Sequence, residues 1–208
     1  MVDEKARILM LYNMRLAILI VLASAVLPTV SRAQAPRYVI TPENSSIKFH
    51  VESSIALDGR FDKWTGTLTF TSPDVTTGVL DLQIQAASVN TGSGMKDGKL
   101  KGEDFFNAKQ NPVIRFRSTK VVQTGPVTFE LPGDFTIRGV SKPETLRMTI
   151  SGKERGSGTG AIEGTMAFDR KEYGMDSGIP FIRIADRVEV TVNIRGKKVG
   201  GPALVFKQ

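Results

Sequence analysis

Residues 187–194 read RVEVTVNI, and polar and apolar side chains alternate through the whole stretch. Successive side chains of a β-strand point to opposite faces, so a period of two predicts a strand with one buried and one wet face. The same pattern recurs over Ser46–Val51, Thr67–Phe70, Val79–Ala86, Val113–Ser118, Val127–Ile137, Thr145–Ile150 and Ile162–Phe168. Together these make about eight strands, punctuated by the turn-forming stretches SPD, GSG, TGP, SKP and GSGTG at 156–160. No segment of comparable length repeats apolar residues at helical spacing, and Glu103–Gln110 is the one stretch expected to form a short helix.

The fold expected is therefore all-β, a sandwich or a closed barrel; closure removes exposed edges, which favours an eight-stranded antiparallel barrel with one or two short helices. Strand alternation turns Ile47, Phe49, Val51, Phe70, Leu82, Ile84, Ile114, Phe116, Phe129, Phe135, Ile137, Met148, Ile150, Met166 and Phe168 inward. The interior of an eight-stranded barrel is wide enough either to be filled by such side chains or to hold one small ligand. Both readings are open at this stage.

Residues 1–35 are set apart. Lys5, Arg7 and Arg15 precede the apolar run LAILIVLASAVLPTV (16–30), and SRAQA follows. This is the pattern of a secretory signal peptide with cleavage after Ala33 or Ala35. Pro28 interrupts the run, which is shorter than the roughly 20 residues that span a bilayer. Residues 36–208 are then one domain, exported to the periplasm. The chain has no cysteine, so neither disulfides nor a lipidated cysteine contribute. Net charge is +7, of which +5 remains after the leader. That excess favours an anionic partner or transient contact with a membrane surface, and export argues against nucleic acid.

Most catalytic chemistry lacks its parts. His50 is the sole histidine and falls on the outward side of SIKFHVE, so a zinc site of the usual kind cannot form. There is no thiolate nucleophile and no G-x-S-x-G serine elbow. GSGMKDGK (92–99) has the wrong glycine spacing for a phosphate loop and reads as a flexible turn. Asn44 heads a formal glycosylation sequon, read as chance. Asp97, Glu103 and Asp104 remain as candidates for an envelope hydrolase, although acids in turns and at helix starts more often satisfy backbone N–H groups. Arg170, in FDRKEYGM, is expected to pair with Asp169 or Glu172 rather than to meet an anionic head group.

Asp97, Asp104-Phe105-Phe106, Pro112, Ile114, Phe116 and Ser118 together resemble the signature of the YceI-like family of exported lipid-binding proteins. In order, YVITPENSSIKFHV (38–51), GRFDKWTGTLTF (59–70), AASVNTG (86–92), GDFTIRGVSKPETL (133–146) and FDRKEYGM (168–175) extend the similarity over about residues 38–196. Lys99 stands where many members carry a histidine, and the segment between Phe49 and Gly59 is short. The resemblance implies a lipocalin-like barrel enclosing a long isoprenoid lipid, a quinone or a polyprenyl phosphate, with no catalysis and no cofactor. On that basis the lipid-contacting residues expected are Phe49, Phe61, Trp64, Phe70, Leu82, Ile84, Phe105, Phe106, Ile114, Phe116, Phe135, Met148 and Phe168. Lys96 and Lys99 are expected at a head group, and Asp104 is expected to cap a helix at the barrel mouth. A structural or stress-related barrel with a filled core is the bland alternative. The sequence leaves the oligomeric state, monomer or homodimer, open.

Overall fold

The computed structural model describes residues 35–55, 57–151, 161–178 and 181–206. The leader up to Gln34 and the GSGTG stretch lie outside them. The expected alternation produces strands, several of them interrupted. The described strands are β1 (Arg37–Ile40), β2 (Ser46–Ser53), β3 (Leu57–Phe61), β4 (Trp64–Thr69), β5 (Val79–Gln85), β6 (Val89–Asn90), β7 (Val113–Ser118), β8 (Val122–Gln123), β9 (Thr128–Ile137), β10 (Val140–Ser151), β11 (Ala161–Asp169) and β12 (Ile184–Gly200).

Four pairs of short strands act as single broken staves: β1 with β2, β3 with β4, β5 with β6, and β7 with β8. Each stave is antiparallel to the next in sequence. The long β12 closes the ring, pairing its first half with β2 (Val190 opposite Phe49) and its last residues with β1 (Lys197 opposite Val39). The result is a closed, eight-stranded up-and-down antiparallel barrel, as expected from the removal of exposed edges.

The breaks have local causes. Pro42 opens a 3-10 turn (Pro42–Asn44) between β1 and β2, and Pro132 of β9 sits where β7 gives way to β8, so its missing N–H interrupts no pairing there. The β9–β10 hairpin is the tight two-residue type that needs positive φ at both centres, supplied by Arg138 (φ 54) and Gly139 (φ 76).

The helix is not where the sequence placed it. Among the described residues the single α-helix, α1, spans Gly94–Lys101, and 103–110 forms a series of turns. Two glycines and a single buried side chain, Leu100, leave α1 no apolar periodicity to read. Gly102 ends it, and Asn107 turns left-handed at φ 45, which stops any helix over 103–110.

Two ends follow from the topology. At one, the β2–β3 link, the 91–112 connection carrying α1, the β9–β10 hairpin and the 170–183 connection come together. At the other, side chains fill the barrel: Tyr38 meets Phe70 edge-on at 6.1 Å, and Phe206 of the tail packs on Phe129 at 6.2 Å. Ile40, Leu80 and Ile194 are nearly fully buried at that end.

Candidate functional site

The helix end of the barrel is hollow. A cavity of about 70 Å³ lies between the staves and under α1, and its walls are almost entirely hydrocarbon. Of the side chains expected there, Phe49, Phe61, Leu82, Ile84, Phe105, Phe106, Ile114, Phe116, Phe135 and Phe168 line it. Phe49, Phe61 and Phe106 form a row of tilted rings with successive centroids 5.7 Å apart.

Trp64, Phe70 and Met148 are buried but do not line the cavity, which corrects the expectation for these three. Phe70 belongs to the filled end. Met148 lies one inward position past Leu146, where the cavity has already closed. Trp64 covers a separate lateral crevice at the start of β4, and its indole N–H finds no partner among the described residues. Leu57, Leu100, Met175, Ile184 and Val188 line the cavity as well. Leu100 could not be found by periodicity, because it is a lone apolar residue in a polar run.

One charged side chain reaches the lining, and it is fully engaged. Arg170 is 6% exposed. Its guanidinium donates to the carbonyls of Met175, Ser177 (3.0 Å) and Ala185 (3.1 Å) and to the Asp186 carboxylate (3.1 Å). Pairing was expected, but with Asp169 or Glu172. Asp169 instead accepts from the Lys171 N–H (2.8 Å) and caps the 3-10 turn Arg170–Tyr173, while Glu172 pairs with Lys142 (3.3 Å). The arginine thus shapes the 170–183 connection and offers no free charge to a ligand. Lys171 beside it (2.8 Å), and then Arg170, hold Asp186 below the usual carboxylate range.

Two of the three candidate acids, Asp97 and Asp104, serve as scaffold. Asp97 reaches back from α1 to accept from the Thr91 N–H (2.8 Å) and hydroxyl (2.7 Å), so it anchors the helix entry. Asp104 accepts from Lys99 and from the Ser177 hydroxyl (3.1 Å), tying the α1 loop to the 170–183 connection instead of capping a helix. The Thr91 hydroxyl on one and the Lys99 ammonium on the other keep both carboxyls below their ordinary range. A glycosidase-type general acid needs the opposite shift. Arg138 completes the cover: its guanidinium donates to the carbonyls of Glu103 and Phe105, both at 2.5 Å, which fixes the loop that points Phe105 and Phe106 inward.

Lys96 and Lys99 stand at the mouth, around a small pocket of about 30 Å³ shared with Ile55, Leu57, Leu100, Phe105 and Ile184. Lys99 is committed to Asp104 and lies 5.9 Å from the Phe105 ring centre. Deeper under the lid, Phe135, Phe168 and Tyr173 form an aromatic cluster with centroids 5.0 to 5.5 Å apart. The fully buried Tyr173 donates its hydroxyl to Glu144 (3.3 Å), whose carboxyl is pushed up by burial. His50 lies on the outer face, bonded to Asp58 at 2.7 Å. Among the described residues no group of His, Asp or Glu side chains could hold a metal ion.

Residues 38–196 match the YceI-like domain. A "UPF0312 protein" of Shewanella denitrificans is 31% identical over 166 residues, covering 75% of this chain and 85% of the relative. The crystal structure of Burkholderia cenocepacia BcnA superposes with a TM-score of 0.67 at 20% identity, covering 75% of this chain and 98% of the other. A polyisoprenoid binding domain from Saccharophagus degradans, implicated in plant cell wall breakdown, superposes with a TM-score of 0.58 at 12% identity over 79% of this chain and 99% of that domain.

Proposed function

Since the chain belongs to the YceI-like family, we propose that it is a lipid-binding protein whose barrel encloses the hydrocarbon chain of an isoprenoid, of quinone or polyprenyl phosphate type, without catalysing a reaction. The observation that carries this reading is the cavity under α1. Its wall is ringed by phenylalanine and aliphatic side chains, and the only charge that reaches it is satisfied by the protein itself. Such a wall can hold a saturated or prenyl chain and gives a polar substrate nothing to bind. The Saccharophagus polyisoprenoid binding domain, which shares the fold, supports the same ligand class.

At about 70 Å³ the cavity has room for a few water molecules, so a prenyl chain enters by repacking the wall. Met166 and Met175, unbranched and easily rearranged, sit in that wall. Each buried CH₂ then contributes ~0.8 kcal/mol, so a short stretch of chain already outweighs modest repacking strain. Lys96 at the mouth, and Lys99 by giving up its exposed pair with Asp104, are the basic groups proposed to orient a head group. The leader supports a periplasmic address, with removal of residues 1–33 or 1–35 on export.

The test is mass spectrometry of an organic extract of the native protein, wild type against Phe49→Asp combined with Phe116→Asp and against the exposed control Lys120→Asp. Wild type and control should release a long-chain isoprenoid and the folded double variant none. An extract without lipid from wild type, with outright unfolding of the double variant, would show a packed core and overturn the reading. The intact mass of the same protein reports the N-terminus, expected at Gln34 or Pro36.

A further inference from the structure

The exposed apolar side chains are distributed unevenly. Among the large hydrophobic residues that the described surface leaves exposed, Ile55, Met95, Val113, Val140 and Phe181 belong to segments at the helix end. Met95 is 87% exposed and Phe181 fully so. Phe181 also holds a left-handed backbone (φ 65), a conformation unfavourable for a bulky residue and not repaid by any packing of its ring.

Ile55 lines the way into the cavity, and Met95 and Phe181 are chain neighbours of Lys96 and Ile182, which line it too. The small mouth pocket shares Leu57, Leu100, Phe105 and Ile184 with the cavity and reaches Ile55 and Ile182 at the rim. The β2–β3 link is stitched to the segment bearing Phe181 by Ser54 N–H to the Arg183 carbonyl (3.0 Å) and Arg183 N–H to the Ser54 hydroxyl (3.1 Å). Apolar surface is therefore continuous from the interior to an exposed rim.

Charge distinguishes the partners such a rim could serve. The segments at the helix end carry eight basic and five acidic side chains, whereas the described residues at the opposite end are more one-sidedly basic, with Arg37, Lys120, Arg195, Lys197 and Lys198 against Asp74. An electrostatic partner would favour that other end. We infer that the helix-end rim is a docking surface for a lipid bilayer, entered by Phe181, Met95 and Ile55, and that a lipid passes there between membrane and barrel without crossing water. The second half of this statement rests on the lipid-binding reading above. Transfer through water would expose the chain at ~0.8 kcal/mol per CH₂, whereas a rim seated in the interfacial layer keeps it covered throughout.

The experiment is co-flotation of protein, purified from the soluble fraction of cells expressing the whole sequence, with phosphatidylcholine vesicles with and without phosphatidylglycerol. Three proteins are compared: wild type, Phe181→Ser with Met95→Ser, and Val199→Ser with Val205→Ser at the opposite end. Wild type should float with both vesicle types, with little dependence on salt. The rim variant should bind at least about tenfold more weakly, because two apolar side chains are lost from the interface. The opposite-end variant should bind as wild type does. All substituted positions are exposed, so unchanged melting curves certify the fold. Equal binding by the rim variant, binding that requires phosphatidylglycerol and vanishes in salt, or a Phe181-dependent dimer in place of flotation would each overturn the inference. Extracts of the same proteins separate the two claims: flotation by a wild type without lipid preserves the docking surface and removes the carrier.

Discussion

The ring of Phe49 lies flat against Gly59, its register partner on β3, so closely that a Cβ at position 59 would fall 2.3 Å from Cζ. Glycine is the residue that lets this ring hug the wall. Freed of a side chain opposite, Phe49 leaves the centre of the barrel to the cavity and starts the row that continues through Phe61 to Phe106. Gly66 does the same for Leu82 on the next pair of staves, with a virtual Cβ at 2.7 Å.

Gly59→Ala should therefore drive the Phe49 ring inward. The expected result is a loss of about 1–3 kcal/mol in unfolding free energy, the usual range for overpacking, with less extractable lipid per protein. Urea denaturation and quantitative extraction measure both. Unchanged lipid content with normal stability would mean that the ring has another place to go.

Arg170→Met removes a buried guanidinium that satisfies three carbonyls and Asp186. The loss expected is about 1–3 kcal/mol, the cost of leaving the buried Met175 carbonyl without its donor, because the Asp186 carboxylate is 40% exposed and regains water. A urea midpoint equal to wild type would show that the 170–183 connection is held by something else.

Glu144 sits half-buried under the Tyr173 hydroxyl, and burial raises its pKa. A carboxyl raised in the folded state contributes most below its unfolded pKa, and that contribution is lost as pH rises through the folded value. Glu144→Gln stays neutral throughout. Its stability relative to wild type should rise with pH across the carboxylate range and then level off. Parallel pH–stability curves for the two proteins would contradict the shift.

Trp64 is the chain's single tryptophan, 3% exposed, with an N–H that has no partner among the described residues. Replacing it with phenylalanine keeps most of the packing and deletes an unsatisfied donor, so the net loss should stay below about 1 kcal/mol. Trp64→Ala should lose about 3–5 kcal/mol. A phenylalanine variant as damaged as the alanine one would show that the N–H is bonded, to a buried water for example.

The alternation of RVEVTVNI and its counterparts determined an all-β fold of two-faced strands, because a buried face and a wet face recur at a period of two however the strands are ordered. β7 could be read to the residue, from Val113 to Ser118. The broken staves were less visible: a four-residue β1 and a two-residue β6 are too short for any period. Closure could be guessed as the way to remove edges, but it depends on the single strand β12 reaching both β1 and β2. The lid was legible only as chemistry without a place. Asp97, Asp104, Phe105 and Phe106 stood out, yet α1 has no apolar stripe, and what holds the lid are bonds from Arg138 and Ser177, more than 30 residues away. Alternation reports which face a side chain takes and is silent on how far along the barrel it sits. Phe49 and Phe70 are equally inward in the sequence, and only the stagger of the staves puts one on the cavity wall and the other in the filled end.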